Sequence, residues 1–493
     1  MSLALFRQRL TATPLGGRGM LAASLVCFWA FHFIVLWPSS FSQDGADQAL
    51  NLGADLTWVI AVSCNALALL GCVVALSRGV TVHFERLARL SGLLTTCGIG
   101  LIALRAVWQG APAGAAFLAG NVLFGVGTGL MMASYADRLR RVSPQTTFMA
   151  LSAAFTVGAF LCLLFTLALV PLARWVAAAL LPLLAAYFYG RYARQADDGK
   201  EETSNASAAS SASSPDDFPL SGLPLKSLLG LIVVVGLTAG VMRGMSHLDS
   251  DVTSAGPLFV GSVLVGGSVL FALSFLIERL RPTLLLQGVV VVISAAFMAL
   301  AFLAGESMSV AFVIHTIGFL FFVALVWLFC TFLGNGRSGG TRLFVIGLCA
   351  NQMGQALGSL GYLGLVAAVG SSASALVPAS LATVYVLLLA ALIFFANAGR
   401  TRRAVPEVAP QAALQLPLLA EAYHLTAREV EIGVLVAEGK SRAAIAEALV
   451  VSQETVKSHT KHLYQKLSVH SRDELLRLLE EEARQAAEQQ VFL

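Results

Sequence analysis

Residues 308–333 read MSVAFVIHTIGFLFFVALVWLFCTFL, a mostly apolar run without Asp, Glu, Lys or Arg. A helix of about 20 such residues crosses the hydrocarbon layer of a bilayer. The whole chain of 493 residues is 57% hydrophobic and 12% charged, whereas soluble domains are about 25% charged. The composition therefore excludes a disordered chain, a secreted disulfide scaffold and an ordinary soluble enzyme, and it indicates an integral membrane protein.

Twelve runs of this kind predict twelve membrane-spanning helices. The runs lie near residues 20–37, 56–76, 89–108, 113–135, 147–170, 173–190, 227–245, 257–277, 283–304, 308–333, 342–369 and 375–397. Only Pro171 to Arg174 separate the fifth run from the sixth, so that boundary is the least clearly marked. The first run follows three arginines, as in a signal peptide, but eleven runs come after it, and we interpret it as an uncleaved helix.

Basic residues are distributed unequally over the predicted loops. One set of loops, together with the residues that flank the first and the last span (7–18 and 400–403), carries 20 Lys and Arg residues. The other set carries only Arg105, Arg174 and Arg243, together with several acidic residues. Because Lys and Arg concentrate in cytoplasmic loops, this distribution predicts that both termini are cytoplasmic.

The chain divides into two membrane halves and a polar tail. The stretch EETSNASAASSASSPDD (201–217) is rich in Ser and Ala and cannot pack a core, so it predicts a flexible linker. The expected domains are a cytoplasmic N-terminus (1–19), a first six-helix half (20–190), the linker (191–226), a second six-helix half (227–397), a tether (398–420) and a soluble domain (421–488).

This architecture resembles the major facilitator superfamily of transporters. The resemblance covers about residues 19–397 and rests on the two halves and the central loop. The family's Gly-rich, Asp-Arg-containing loop is poorly matched by SRGVTVHFERLARLSG (77–92). Weaker matches to this loop pattern occur as ADRLRR (136–141) and ERLRP (278–282).

Polar residues inside the predicted spans are candidates for function, because their burial in hydrocarbon is costly. No Asp or Glu lies in the middle of a span. The candidates for a ligand site are Arg105, Arg243, Asn121 and His315; His32, Asn65, Asn351, Gln352 and Gln355 are further polar groups. The amide side chains could form hydrogen bonds between helices, and the arginine side chains could extend to the membrane–water interface. Alternatively, they could line a cavity open to the outside, in which the two arginines hold an anionic or polar ligand.

The polar tail shows the capping signals of four short helices. Thr426 to Glu429 form a capping box for a helix that ends at Gly439. Ser441 caps a helix over 442–449, and Val450-Val451 form a turn. Ser452 caps a third helix over 453–467, and a second capping box opens a final helix over 471–485. Two helices joined by a tight turn predict a helix-turn-helix.

The third tail helix has two faces. Apolar residues at helical spacing should pack inwards: Val456, Leu463 and Leu467, with Thr460. The opposite face carries Glu454, Lys457, Ser458, Lys461 and Gln465. Such a face is most often plain solvated surface, so the pattern alone does not assign a function to it.

The order of residues in the tail is more specific. LTAREVEIGVLVAEGKSRAAIAEALVVSQETVKSHTKHLYQKLSVHSRDELL (425–476) resembles the LuxR-type DNA-binding domain of bacterial response regulators. The resemblance implies that the third helix enters the major groove of DNA. It implies base contacts for Lys457, Ser458 and Lys461 and a phosphate contact for Thr455; Ser452, His462 and Lys466 complete the predicted DNA-binding set. Gly433 and Ala444 depart from the family pattern, which usually has Leu and Glu there.

The last helix of the resembled family forms dimers. Here it carries Leu475, Leu476, Leu478 and Leu479, which could serve the domain core or a dimer seam. The sequence shows no catalytic motif, no metal-ligand spacing and no cofactor motif. The seven cysteines are interpreted as buried apolar residues.

The expected fold class is thus all-α, with a polytopic twelve-helix bundle and a small four-helix LuxR-type domain. The function it implies is a membrane-embedded one-component transcription regulator of the bacterial cytoplasmic (inner) membrane. Its expected partners are double-stranded DNA, the lipid bilayer, a second copy through the tail, and an unknown small-molecule or membrane signal. The alternatives are a secondary transporter with a regulatory DNA-binding tail and a constitutive membrane anchor.

Overall fold

The computed structural model describes most of the chain. The described residues are 18–36, 48–104, 111–197, 225–248, 256–276, 282–302, 308–335, 339–370, 372–403, 416–438, 440, 442–472, 474–479 and 481–482. Their regular structure is helical throughout. The chain divides into two compact units, a membrane unit ending at Phe394 and a C-terminal unit from Phe395 onwards.

The membrane unit is built from long helices. They are α1 (Gly19–Leu36), α2 (Gln48–Ser77), α3 (Phe84–Ala103), α4 (Ala111–Leu139), α5 (Pro144–Ala168), α6 (Pro171–Asp197), α7 (Leu225–Leu248), α8 (Gly256–Ser274), α9 (Pro282–Phe302), α10 (Met308–Gly334), α11 (Gly340–Val369) and α12 (Ser372–Arg403). Ten helices in the described residues are long and apolar enough to cross a membrane, and shorter apolar helices cover Gly19–Val35 and Phe259–Ser274. The polytopic all-α fold is confirmed, while the count of twelve spans stays a prediction.

Local chemistry sets the ends of several helices. Leu169 is extended and Pro171 opens α6, because proline fits the first turn of a helix and disfavours a helical residue before it. This places the break between the fifth and sixth helices. Gly339 and Gly370, with φ of 79° and 80°, flank α11 in a left-handed conformation that residues with a Cβ adopt only at a cost.

Close packing of helices organises each half of the membrane unit. In the first half α3 packs on α4 and α6, and α1 packs on α5 and α6. In the second half α7 packs on α11, and α9 and α11 pack on α10. The two halves meet where α8 and α10 pack on α5 and where α11 packs on α2 and α4. Helices α5 and α11 therefore pack both within their own half and against the other half.

The C-terminal unit has a small core of its own. Its helices are α13 (Leu416–Leu419), α14 (Ala427–Ala437), α15 (Arg442–Ala448) and α16 (Gln453–Lys466), and residues 474–479 are also helical. Leu416 is fully buried against Leu463 and Leu475 in this core. The packed unit thus includes α13, which lies within the stretch expected as a tether.

Candidate functional sites

The helix-turn-helix is held by the caps that the sequence predicts. Thr426 accepts a hydrogen bond from the Glu429 amide while Glu429 accepts one from the Thr426 amide, so the capping box of α14 is complete. Ser452 Oγ accepts a bond of 3.1 Å from the Thr455 amide at the start of α16. Between α15 and α16, Val450 has a φ of 53° and lets the chain reverse.

One face of α16 is exposed, while the opposite face packs inwards. Val456 and Leu463 are buried, whereas Ser458, Lys461 and His462 are exposed. Lys457 is partly exposed and its Nζ lies 3.2 Å from Glu454 Oε1. Since residues three and four apart share a helix face, Lys457, Ser458, Lys461 and His462 form one continuous patch. We call these four residues the α16 patch.

The other predicted DNA-binding residues take part in local structure. Ser452 and Thr455 share a hydrogen bond of 2.8 Å between their hydroxyl groups at the α16 N-terminus. Lys466 Nζ donates to Glu429 Oε2 at 2.7 Å and to the His424 carbonyl at 2.8 Å. The structure therefore assigns these three side chains to a cap and a scaffold, and their DNA contacts stay a prediction.

Glu429 is the ionised centre of that scaffold. Its side chain is almost fully buried, which alone would raise its pKa. The hydrogen bond from Lys466 and those from Thr426 outweigh burial and lower the pKa to about 2. A carboxylate that receives several such donors stays ionised and ties α14 to the end of α16.

The leucines of the last helical segment are mainly core residues. Leu475 and Leu479 are fully buried, and Leu476 and Leu478 are partly buried against the same cluster. The departure at Gly433 also has a structural reason. A Cβ there would lie 3.0 Å from Leu463 Cδ2 and 3.2 Å from Leu416 Cδ1, so glycine leaves room for the α13 leucine.

The membrane unit contains a cavity between its halves. Its volume is about 160 Å³. It is lined by α1, α2, α4 and α5 from one half and by α7, α8, α10 and α11 from the other. Its wall is mainly aromatic and aliphatic. The lining runs from the middle of the bundle to the end where α1 and α7 finish and α8 and α10 begin.

The polar groups of the cavity come from both halves. Arg243 lies over the Trp58 ring, with 5.2 Å from the guanidinium carbon to the ring centroid. His315 and Asn351 are buried, and Asn65 donates a hydrogen bond of 2.9 Å to Thr128. All of these residues line the cavity. Two of the predicted ligand residues, Arg243 and His315, thus line the same cavity. The sequence alone does not show that these residues lie near Asn65 and Asn351.

The other two predicted ligand residues do not join this group. Asn121 is buried on α4 and donates to the Phe117 carbonyl at 2.9 Å, and it is not among the residues that line the cavity. Arg105 lies outside the described residues. A ligand role for either stays a prediction.

A polar cluster at the opposite end of the bundle was missed from the sequence. Asp137 is buried near the end of α4, beside three arginines of the ADRLRR stretch. Thr341 at the start of α11 donates to Asp137 Oδ1 at 3.1 Å. Thr331 of α10 donates to Thr147 of α5 at 3.2 Å. These two hydrogen bonds join the halves at the end remote from the cavity. In the sequence, only the weak match of ADRLRR to the family's loop pattern pointed to this region.

The described part of the chain contains no cluster of metal-ligating residues and no disulfide. No group of three or more His, Cys, Asp or Glu residues there is placed to hold a metal ion. The seven cysteines are free, and five of them are buried.

Comparison with known proteins identifies the tail. Residues 423–479 match the family "Bacterial regulatory proteins, luxR family". A stretch of 54 residues is 48% identical to an Aeromonas salmonicida protein that carries the provisional name of an HTH-type transcriptional regulator in exeN 3'region. The match covers 11% of this chain and 28% of that relative. Residues 423–479 therefore form a LuxR-type helix-turn-helix domain, as the sequence predicted.

The membrane unit is similar to solved transporter structures. The human organic anion transporter MFSD10 (TETRAN) matches with a TM-score of 0.53 and 15% identity, over 78% of this chain and 100% of that chain. A bacterial homologue of the iron transporter ferroportin in an outward-facing state matches with a TM-score of 0.52 and 14% identity, over 78% and 99%. At these identities the likeness shows the fold alone: the helices of the membrane unit are arranged as in these two transporters.

Proposed function

We propose that this protein is a membrane-embedded transcription regulator, in which the transporter-like unit binds a signal molecule and the LuxR-type domain binds operator DNA. The observation that carries the proposal is the exposed α16 patch on a LuxR-type domain that shares one chain with a cavity-bearing membrane unit. Ligand binding between the halves would favour one arrangement of the bundle over another, and that coupling is the physical basis of sensing.

DNA recognition is assigned to the α16 patch. Lysine donors can reach the O6 and N7 atoms of guanine in the major groove, and lysines also neutralise phosphates. One small domain neutralises few phosphates, so two tethered domains would bind far more tightly than one. We therefore include in the proposal a homodimer that pairs the C-terminal domains on DNA.

We further propose an orientation of the protein in the membrane. Both termini lie in the cytoplasm of a bacterial cell, which places the LuxR-type domain on the side of the chromosome. The charge distribution supports this orientation. With it, the cavity faces the outside and the Asp137 cluster faces the cytoplasm. A reporter enzyme fused after residue 493 that is active only outside the cytoplasm should stay inactive; an active fusion would refute the proposal.

The DNA-binding role is tested with full-length protein in lipid nanodiscs. Lys457→Ala combined with Lys461→Ala should abolish retention of double-stranded DNA that the unmodified protein binds. If binding remains measurable, its salt dependence should fall by about one unit of slope per lost phosphate contact. Lys226→Ala, which removes an exposed lysine at the start of α7, is the matched control and should leave binding unchanged. Unchanged binding by the double variant would refute the assignment.

The transporter alternative predicts a different result. Proteoliposomes that hold the membrane unit would then accumulate a substrate against its gradient. A regulator that does not transport would bind the same molecule without accumulating it. Comparing uptake with binding for any identified ligand separates the two functions.

A further inference from the structure

The cavity between the halves has the size and the wall of a site for one small aromatic molecule. Its volume of about 160 Å³ is close to that of a cavity of about 150 Å³ that binds benzene. Aromatic rings line it from both halves; they include Trp29 and Phe33 of α1, Phe124 of α4, Phe155 of α5, and Phe312 and Phe319 of α10. Such surfaces favour offset and edge-to-face contacts with another aromatic ring, which a sugar or another polyol cannot make.

The charged groups of the wall favour a neutral ligand. None of the lining residues in the described part of the chain is Asp or Glu, so a cation would find no carboxylate there. Arg243 lines the cavity, but its guanidinium lies over the Trp58 ring and the residue has a further interaction of its own. A charged ligand would lose its water shell against this aromatic wall, which is costly unless an opposite charge pairs with it.

Uncharged polar atoms of the wall lack hydrogen-bond partners. His315 is 4% exposed, and its Nε2 has no partner among the described residues. The ring stacks on Phe319 at 6.0 Å between centroids and meets the edge of Phe297 at 5.6 Å, so it is held in place. Leaving a buried polar atom without a hydrogen bond is costly, and a polar group of a ligand would remove that cost.

These unpartnered atoms include both acceptors and donors. Asn65 Oδ1 and Asn351 Oδ1 are buried acceptors from opposite halves, and neither has a partner in the described part of the structure. Trp29 Nε1 and Trp58 Nε1 are donors in the same condition. All four residues line the cavity. A ligand with a donor and an acceptor would complement them, and contact with both asparagines would connect the halves.

We infer that the cavity binds a neutral aromatic molecule that carries both a hydrogen-bond donor and an acceptor, such as an aromatic carboxamide. Such a molecule would be the signal of the proposed regulator. Its biological meaning therefore rests on the proposed function, whereas its binding is tested separately.

The test uses five probes of similar size with full-length protein in nanodiscs. Benzamide carries the donor and the acceptor, and benzoate and benzamidine are its anionic and cationic counterparts of nearly the same shape. Acetophenone keeps the acceptor without the donor, and cyclohexanecarboxamide has no aromatic ring. Calorimetry, corrected for uptake by empty nanodiscs, should give benzamide the lowest Kd.

The weaker probes separate the contributions to binding. Benzoate and benzamidine should bind at least about tenfold more weakly than benzamide, because the wall does not compensate the loss of their water shells. Acetophenone should bind about three- to tenfold more weakly, because it cannot donate to the asparagine oxygens. Cyclohexanecarboxamide should lose a similar factor, because it lacks the aromatic contacts.

Variants locate the hydrogen bonds. Asn351→Leu removes an acceptor with little change in size, so it should weaken benzamide and leave acetophenone nearly unchanged. The ratio of the two Kd values should then approach one. Asn65→Leu should have the same effect from the other half. Ser380→Ala is the matched control, because it removes a buried, unpartnered hydroxyl of α12 that is not part of the cavity lining. It should leave both Kd values unchanged.

Several results would overturn the inference. They are tighter binding of benzoate or benzamidine than of benzamide, affinity for acetophenone or cyclohexanecarboxamide equal to that for benzamide, and no binding of any probe. The probe series alone decides this even if the asparagine variants do not fold.

A reporter gene behind DNA that the protein binds separates the ligand class from the sensing role. Benzamide should change the output of this reporter. Calorimetric binding of benzamide with an output that benzamide does not change would refute the sensing role and leave the ligand class intact. An output that benzoate changes and benzamide does not would refute the ligand class.

Discussion

Glu429 shows how much of the LuxR-type domain depends on one side chain. It accepts hydrogen bonds from the Thr426 amide at 2.8 Å and from Lys466 at 2.7 Å. Glu429→Gln should destabilise the domain by about 1–3 kcal/mol, because a buried charged partner is lost. Glu447→Gln, at an exposed position of α15, is the control and should change the stability little.

The pH dependence of this site follows from its lowered pKa. The pKa is about 2 in the folded domain and 4.5 in the unfolded chain, so the folded state binds its proton more weakly. The stabilisation is complete above pH 4.5 and is lost as the pH falls towards 2. Pepsin cleavage within residues 416–482 should rise over this interval in the unmodified protein and change less in Glu429→Gln. Parallel curves for the two proteins would contradict the assignment.

Val450 is a second residue whose substitution should change the free energy of unfolding of the domain. Its φ of 53° is unfavourable for a β-branched residue, and its side chain is 90% exposed, so little burial offsets the strain. Val450→Asn should stabilise the domain by about 1 kcal/mol, since Asn tolerates this conformation. Val451→Asn should destabilise it, because Val451 packs against the small core around Ile432 and Val456. Thermal unfolding of the full-length variants measures both.

The caps were predictable at this scale and the tertiary bonds were not. Thr426 with Glu429, and Ser452 with Thr455, lie three residues apart, so their spacing is visible in the sequence. Lys466 lies 37 residues from Glu429. Only the packing of α16 on α14 brings these two together. The DNA contact that the family resemblance implies for Lys466 stays a prediction.

At the scale of elements, the glycine-rich stretch of α11 allows this helix to pack closely against α7. A Cβ at Gly354 would meet the Val233 carbonyl oxygen, and one at Gly358 would meet that of Leu237. Backbone atoms cannot move aside as a flexible side chain does, so the two helices would have to separate. Gly358→Ala should therefore lower the melting temperature of the protein in detergent, by an amount that corresponds to about 1–3 kcal/mol.

The same helix provides the control. A Cβ at Gly361 would have no atom within 4 Å, so Gly361→Ala should be neutral or slightly stabilising because alanine favours helix. Equal melting temperatures for the two variants would contradict the close packing. Local sequence patterns do not show which helices meet at these glycines, because the partner residues lie more than 100 positions away in the chain.

At the scale of the whole molecule, the membrane unit joins its halves at one end and holds a cavity towards the other. The long helices and the LuxR-type domain were predictable, because apolar runs and capping signals are local. The cavity was predictable only as a set of candidates such as Arg243 and His315. Its shape depends on eight helices from both halves, and no local pattern records their arrangement.

The joined end gives the last prediction. A Cβ at Gly334, the last residue of α10, would lie 3.2 Å from the Cβ of Arg140, just beyond α4. A disulfide needs Cβ atoms about 3.5–4.5 Å apart, so a small shift would allow one between Arg140→Cys and Gly334→Cys. The bond would hold the two halves together at this end.

If signalling requires the halves to part at this end, oxidation of the double variant should abolish the response of a reporter to ligand, and a reductant should restore it. Each single variant controls for the substitution itself. A double variant that is fully cross-linked by mass spectrometry and still responds would show that the signal travels without opening this end.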